Sequence, residues 1–201
     1  MSPSSPPLPP MTDRTTTAGR AQARASADGI LFPLDFVYRR AGVEPPRVQV
    51  IQPENIPYPY RTLLVHTSDM TITLERHFGG PLVVRALSTI SSGTWYLRRV
   101  LLAQEYSGRP VEMGAIRIRV SHLSAELQRQ IRKNQIPLGR LLRDGGVDFE
   151  SRPKAFLEVT PNAEMMGVFW MREPRLLYGR RTEIYVSDSK IGDIVEILPV
   201  V

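Results

Sequence analysis

Three charged residues in this chain fall where the strand pattern calls for apolar ones. From Trp95 to Leu102 the side chains alternate, so Trp95, Leu97, Arg99 and Leu101 share one face and Tyr96, Arg98, Val100 and Leu102 the other. Both faces are largely apolar. One arginine of the Arg98-Arg99 pair therefore projects into apolar surroundings, where a guanidinium needs an anionic partner from the protein or from a ligand. Past a turn at Ser107-Gly108-Arg109-Pro110, Arg117 and Arg119 point one way and Glu112, Gly114, Ile116, Ile118 and Val120 the other, which puts Glu112 on an apolar face. Much later, Ile194, Glu196 and Leu198 share a face, so Glu196 is a carboxylate flanked by aliphatic residues and calls for a compensating arginine. Charges at core-facing positions break the binary pattern, and such breaks tend to fall at functional sites. The chemistry open to this set is recognition of a small carboxylate, since a bidentate guanidinium is the natural receptor for that group. The plain alternative is a buried salt bridge of Arg98 with Glu196, which says little about function.

Strands and helices must position these residues. Pro81 to Ile90 reads as a strand rich in β-branched residues; Ser91-Ser92-Gly93 turns it into the charged hairpin, giving three antiparallel strands in succession. Before them, Ser68-Asp69 caps a helix from Met70 to about Phe78 that Gly79-Gly80-Pro81 stops. After them, Ser121 or Ser124 caps a helix carrying Leu123, Leu127 and Ile131, with Glu126 near its start and Arg132 and Lys133 near its end, as the helix dipole favours. A second short helix, Leu138 to Arg143, follows Pro137, and the two form a helical hairpin able to cover a pocket. Val147 to Val159 reads as a strand, Pro161 to Met166 as a turn of helix or a loop, and Tyr178 to Val186 with Ile191 to Leu198 as a final hairpin. The expected fold class is α+β, a single antiparallel sheet of about six strands with helices packed on it.

Residues 1–28 are proline-rich and then polar, and are expected to be disordered; 29–60 form a proline-rich arm; 61–201 hold the folded domain. With no cysteine, disulfides, thiolate metal sites and cysteine nucleophiles are excluded. No phosphate-cradling glycine loop, zinc ligand set or nucleophile elbow is present, and His66, His77 and His122 are too scattered for a metal site, so no metal is expected. No apolar run reaches the ~18 residues of a membrane span, and the first residues do not form a secretion signal, so a cytoplasmic location is expected. The net charge of +6 comes with 23 arginines that are spread along the chain and seldom adjoin aromatics. A solvated surface that attracts small anions fits this better than a nucleic-acid groove.

At the charged positions the sequence resembles the chorismate pyruvate-lyase (4-hydroxybenzoate synthase) family. The matching segments, in order, are Thr67-Ser68-Asp69-Met70-Thr71 with Leu74-Glu75; Trp95-Tyr96-Leu97-Arg98 leading into Val100-Leu101-Leu102; Gly108-Arg109-Pro110 and Gly114; Pro137-Leu138-Gly139-Arg140; Tyr178-Gly179-Arg180-Arg181; and Val195-Glu196-Ile197-Leu198-Pro199. The resemblance implies that family's antiparallel fold and its reaction, loss of pyruvate from chorismate to leave 4-hydroxybenzoate without metal or organic cofactor. It places the product in aromatic-acid and ubiquinone biosynthesis. It makes Arg98 and Glu196 the catalytic residues, with Met70 and Leu138 as ligand contacts; with Glu112 from the strand pattern, and Gly114 and Arg180, they make up the expected substrate site. Arg98 would fix a carboxylate, Glu196 would engage the ring hydroxyl, and the helical hairpin would act as a lid.

The sequence departs from the well-studied branch of that family at Ala115, where those members carry an arginine; Arg180 or Arg181 is the candidate replacement. Two rivals follow. One is a non-catalytic module of the same fold that binds an aromatic acid, since effector-binding domains of some transcription regulators share it, although no DNA-binding helical segment precedes the core in this sequence. The other is a related lyase or hydrolase acting on a different carboxylate.

Overall fold

Seven strands assemble into one antiparallel sheet in a computed structural model, which describes residues 29–201. The tail expected at 1–28 lies outside the described residues. The strands are β1 (Arg47–Ile51), β2 (Leu82–Ser92), β3 (Trp95–Gln104), β4 (Pro110–Arg119), β5 (Phe149–Thr160), β6 (Leu177–Val186) and β7 (Ser189–Leu198), in the order β1-β5-β6-β7-β4-β3-β2. The sheet thus has one strand more than the sequence pattern suggests. The extra strand is β1, in the expected arm, where Pro45, Pro46 and Pro53 restrict it to five residues and an edge position beside β5.

Both faces of the sheet are covered, and that explains why both faces of β3 are apolar. On one face, α1 (Leu34–Arg40) and α6 (Ala163–Val168) lay Leu34, Tyr38 and Met165 over Leu101, Met113, Ala115, Leu157, Val195 and Ile197. Arg99 belongs to this face: it bonds Glu164 at 2.6 Å and lies 4.9 Å above the Tyr38 ring, a paired and stacked cation with a structural task. Asp193, also on this side, gathers Arg117, Arg181 and Lys190.

The opposite face carries α2 (Tyr60–Leu64), α3 (Met70–Phe78), α4 (Ala125–Lys133) and α5 (Leu138–Asp144). Their ends follow local chemistry. Asp69 accepts from Thr71 N at 2.9 Å to open α3, and Gly79, at φ 71°, closes it. Ser124 rather than Ser121 caps α4, and Asn134 closes it in the left-handed region at φ 55°. The apolar residues beneath these helices form two separate clusters. One is built on Leu127, Ile131, Leu141 and Leu142 with Ile116 and Ile184, the other on Leu63, Leu64, Met70 and Leu74 with Leu102 and Leu198. The space between them is a cavity floored by the middle of the sheet.

Candidate functional site

Register decides which charges share this cavity. Arg98 pairs with Ile116, Val100 with Gly114 and Leu102 with Glu112 across β3 and β4, while Gly114 also faces Glu196 on β7, so Arg98, Glu112 and Glu196 all lie on the face covered by α2 to α5. All three line the cavity, together with Met70, Gly114 and Leu138. Val84, Val100, Ile116, Phe149 and Ile194 supply apolar wall. The space open to the centre of a water molecule is about 70 Å3, room for several waters or for a ligand of about one ring.

Arg98 is 2% exposed and, among the described residues, has no carboxylate partner. It donates from one terminal nitrogen to Asn134 Oδ1 at 3.4 Å and from the other to the Ile136 carbonyl at 3.3 Å, both long bonds to the connection between α4 and α5. Burial pushes its pKa down to about 10. The cation therefore sits desolvated and without an anion, as the alternation of β3 predicts for one arginine of the pair.

The plain alternative, a salt bridge of Arg98 with Glu196, does not form. Two strands and two residues separate them, ~12 Å between Cα atoms by sheet spacing. Glu196 instead accepts from Arg180 Nε at 2.5 Å and from Thr182 Oγ1 at 3.3 Å. Arg180, 1% exposed, spends another nitrogen on the carbonyls of Leu64 and His66 and on His66 Nδ1. Arginine only donates, so His66 Nδ1 accepts and its Nε2 carries the proton toward the Leu63 carbonyl at 2.8 Å. Burial, then the charge of Arg180, lowers the His66 pKa in keeping with that neutral ring. Arg180 thus stands behind Glu196 rather than on the cavity wall.

Glu112 is 5% exposed, and its Oε2 is buried with no hydrogen-bond partner. Burial pushes its carboxyl well above the usual range, the charge of Glu196 adds to this, and Arg180 opposes it. Gly114 makes room for it, since a Cβ there would stand 2.9 Å from Glu112 Oε1. The α4–α5 hairpin closes the site with Pro137, Leu138, Gly139 and Leu142, and is tied to α3 by Arg143 to Asp69 at 2.6 Å and by Arg140 to Glu75. Asp69 and Asn134 are site residues that the sequence reading used or passed over only as helix punctuation. Their positions as caps at the two mouths of covering helices were the available signal. Among the described residues no group of three or more His, Cys, Asp or Glu could hold a metal ion, and no helix is long and apolar enough to cross a membrane.

No family model matches the chain, and no curated protein matches it. Solved structures similar to it include PhnF from Mycobacterium smegmatis, at 12% identity and a TM-score of 0.48 over 67% of this chain and 64% of PhnF. Others are the ligand-binding domain of what is described as a GntR-family transcriptional regulator from Bordetella bronchiseptica (14% identity, TM-score 0.46, 59% and 86% covered) and the C-terminal domain of the histidine utilization repressor from Pseudomonas syringae pv. tomato (14%, 0.37, 59% and 91%). The chain thus spans less than two thirds of the length of PhnF.

These findings correct the resemblance drawn from the sequence. The matching structures include domains of transcription regulators, so membership of the chorismate pyruvate-lyase family, the chorismate-lyase fold, the lyase activity and the place in ubiquinone biosynthesis are withdrawn. The site gives the physical reason. Chorismate carries two carboxylates, but of the three candidate arginines only Arg98 is left without an anion among the described residues: Arg180 is spent on Glu196 and Arg181 points to the other face, toward Asp193. Neither replaces the arginine missing at Ala115. Glu196, expected to engage the ring hydroxyl, is locked to Arg180 and Thr182.

Proposed function

We propose that this chain is a non-catalytic receptor for a small aromatic carboxylic acid. The observation that carries the reading is Arg98, a buried cation with no anion, set in an apolar cavity of about 70 Å3. A ligand carboxylate would supply the charge the protein withholds, and Val100, Ile116, Leu138 and Ile194 would flank its ring. Met70 and Gly114 are contacts on the same wall in this reading, and Arg180 acts through Glu196.

Calorimetric titration of the full chain with benzoate and 4-hydroxybenzoate tests it. The expected result is saturable binding at one site, weakened by at least about fiftyfold in Arg98→Met, since charge-assisted bonds contribute ~1.5–3 kcal/mol each, and no chemical change in the recovered acid. Absence of binding by every aromatic monoacid tried overturns the reading, and so does binding that survives intact in Arg98→Met.

A further inference from the structure

At the end of the cavity away from Arg98, Glu112 presents Oε2, buried and without a partner, on a residue only 5% exposed. Native structures leave few such atoms unsatisfied. The charged groups around it are like-charged or committed elsewhere. Glu196 on β7 is held by Arg180 of β6, whose other contacts are the Leu64 and His66 carbonyls and the His66 ring. Asp69, at the start of α3, is held by Arg143 of α5, and Arg140 of α5 is held by Glu75. Arg98 is four residues along the paired strand, ~14 Å away between Cα atoms. One ring with a hydrogen bond at each end spans that separation.

We infer that Glu112 determines the specificity of the site: among aromatic carboxylic acids it selects those bearing a neutral hydrogen-bonding group, a hydroxyl or carbonyl, opposite the carboxylate, and rejects those bearing a second carboxylate there. The inference rests on the aromatic-acid reading above. With the ligand carboxylate on Arg98, its far substituent meets Oε2, and a neutral one completes the missing bond. A second carboxylate in that position would lose its water beside Glu196 and Asp69, whose arginines are already committed, with no free cation to compensate. Burial and the charge of Glu196 favour the protonated form of Glu112, in which it is a donor.

Calorimetry on the full chain with benzoate, 4-hydroxybenzoate and benzene-1,4-dicarboxylate, from pH 5.5 to 8, tests this. For the wild type, 4-hydroxybenzoate should bind roughly five- to tenfold more tightly than benzoate, and the dicarboxylate at least about a hundredfold more weakly. Glu112→Gln, nearly isosteric and neutral, should keep 4-hydroxybenzoate within about threefold and remove any loss of affinity as pH rises. Glu112→Leu should still bind benzoate while its preference for the hydroxyl falls to about one. Binding of benzoate with no discrimination among the three acids by the wild type overturns the inference and leaves the aromatic-acid reading standing; this comparison does not depend on how any variant folds. A hydroxyl preference that persists in Glu112→Leu also overturns it. Failure of all three acids to bind removes the aromatic-acid reading and this inference with it.

Discussion

Replacing Arg98 by methionine should make the unliganded protein more stable. The usual expectation for a buried arginine is the reverse, because removing one member of a buried ion pair strands the other at a cost of ~3–5 kcal/mol. Arg98 has no such partner. Burial holds its pKa down at about 10, and since each tenfold change in a proton equilibrium is worth ~1.4 kcal/mol, carrying the charge in the fold costs on the order of 3 kcal/mol near neutral pH. At 2% exposure little solvent screening reduces that figure. The depressed value of a basic group means the cost is present throughout the pH range in which arginine is charged, and it eases only above about pH 10. Against it stand two long hydrogen bonds, at 3.4 and 3.3 Å. Asn134 Oδ1 keeps Tyr96 Oη as a donor at 2.9 Å, so only the Ile136 carbonyl loses its partner, at about 1 kcal/mol. Methionine, unbranched and similar in length, fills the same channel. The net expectation is a gain of about 1–2 kcal/mol, which for a chain of this size raises Tm by roughly 2–8 °C. Thermal unfolding of both proteins without ligand measures it. A drop of more than about 5 °C in Arg98→Met would refute the reasoning, because it would show that the guanidinium is there to hold the α4–α5 connection rather than to await an anion.

The charge pair behind the cavity behaves in the ordinary way. Arg180→Met should destabilise by about 3–5 kcal/mol in chemical denaturation, since Glu196 keeps only Thr182, and adding Glu196→Met should recover most of the loss. Gly139→Ala drives a Cβ into the Asp69 carboxylate, detaching both the α3 cap and the tie to Arg143, and should cost about 1–2 kcal/mol in Tm-derived stability. Gly114→Ala displaces only the end of Glu112, so it should leave stability within about 1 kcal/mol while weakening 4-hydroxybenzoate binding. Glu112 binds its proton more tightly folded than unfolded, so wild-type stability should fall as pH rises from the ordinary carboxylate range toward the raised value, and the advantage of Glu112→Gln should widen over the same range in thermal melts.

Side-chain alternation could place Arg98, Glu112 and Glu196 on sheet faces because period two needs no knowledge of partners. The caps at Asp69 and Ser124 likewise marked α3 and α4 from within a few residues. What alternation cannot supply is strand order and register: β4 lies between Arg98 on β3 and Glu196 on β7, and register gives Glu196 another arginine. A two-residue turn at Ser187-Asp188, extended regularly, would set Arg180 opposite Val195 and Glu196 opposite Gly179. The ladder starts in that way, with Val186 facing Ser189 and Tyr185 facing Lys190, and then slips by one residue between Tyr185 and Ile184, so that Arg180 faces Glu196. A single inserted residue therefore creates the buried pair. Had the hairpin run on regularly, Arg180 would have faced away from the cavity, and Arg181, set opposite Ile194, would have shared the face of Glu196 in its place. The irregularity between β6 and β7 thus decides which arginine neutralises Glu196, while strand order keeps Arg98 two strands away, and that unneutralised guanidinium is the basis of the proposed acid receptor.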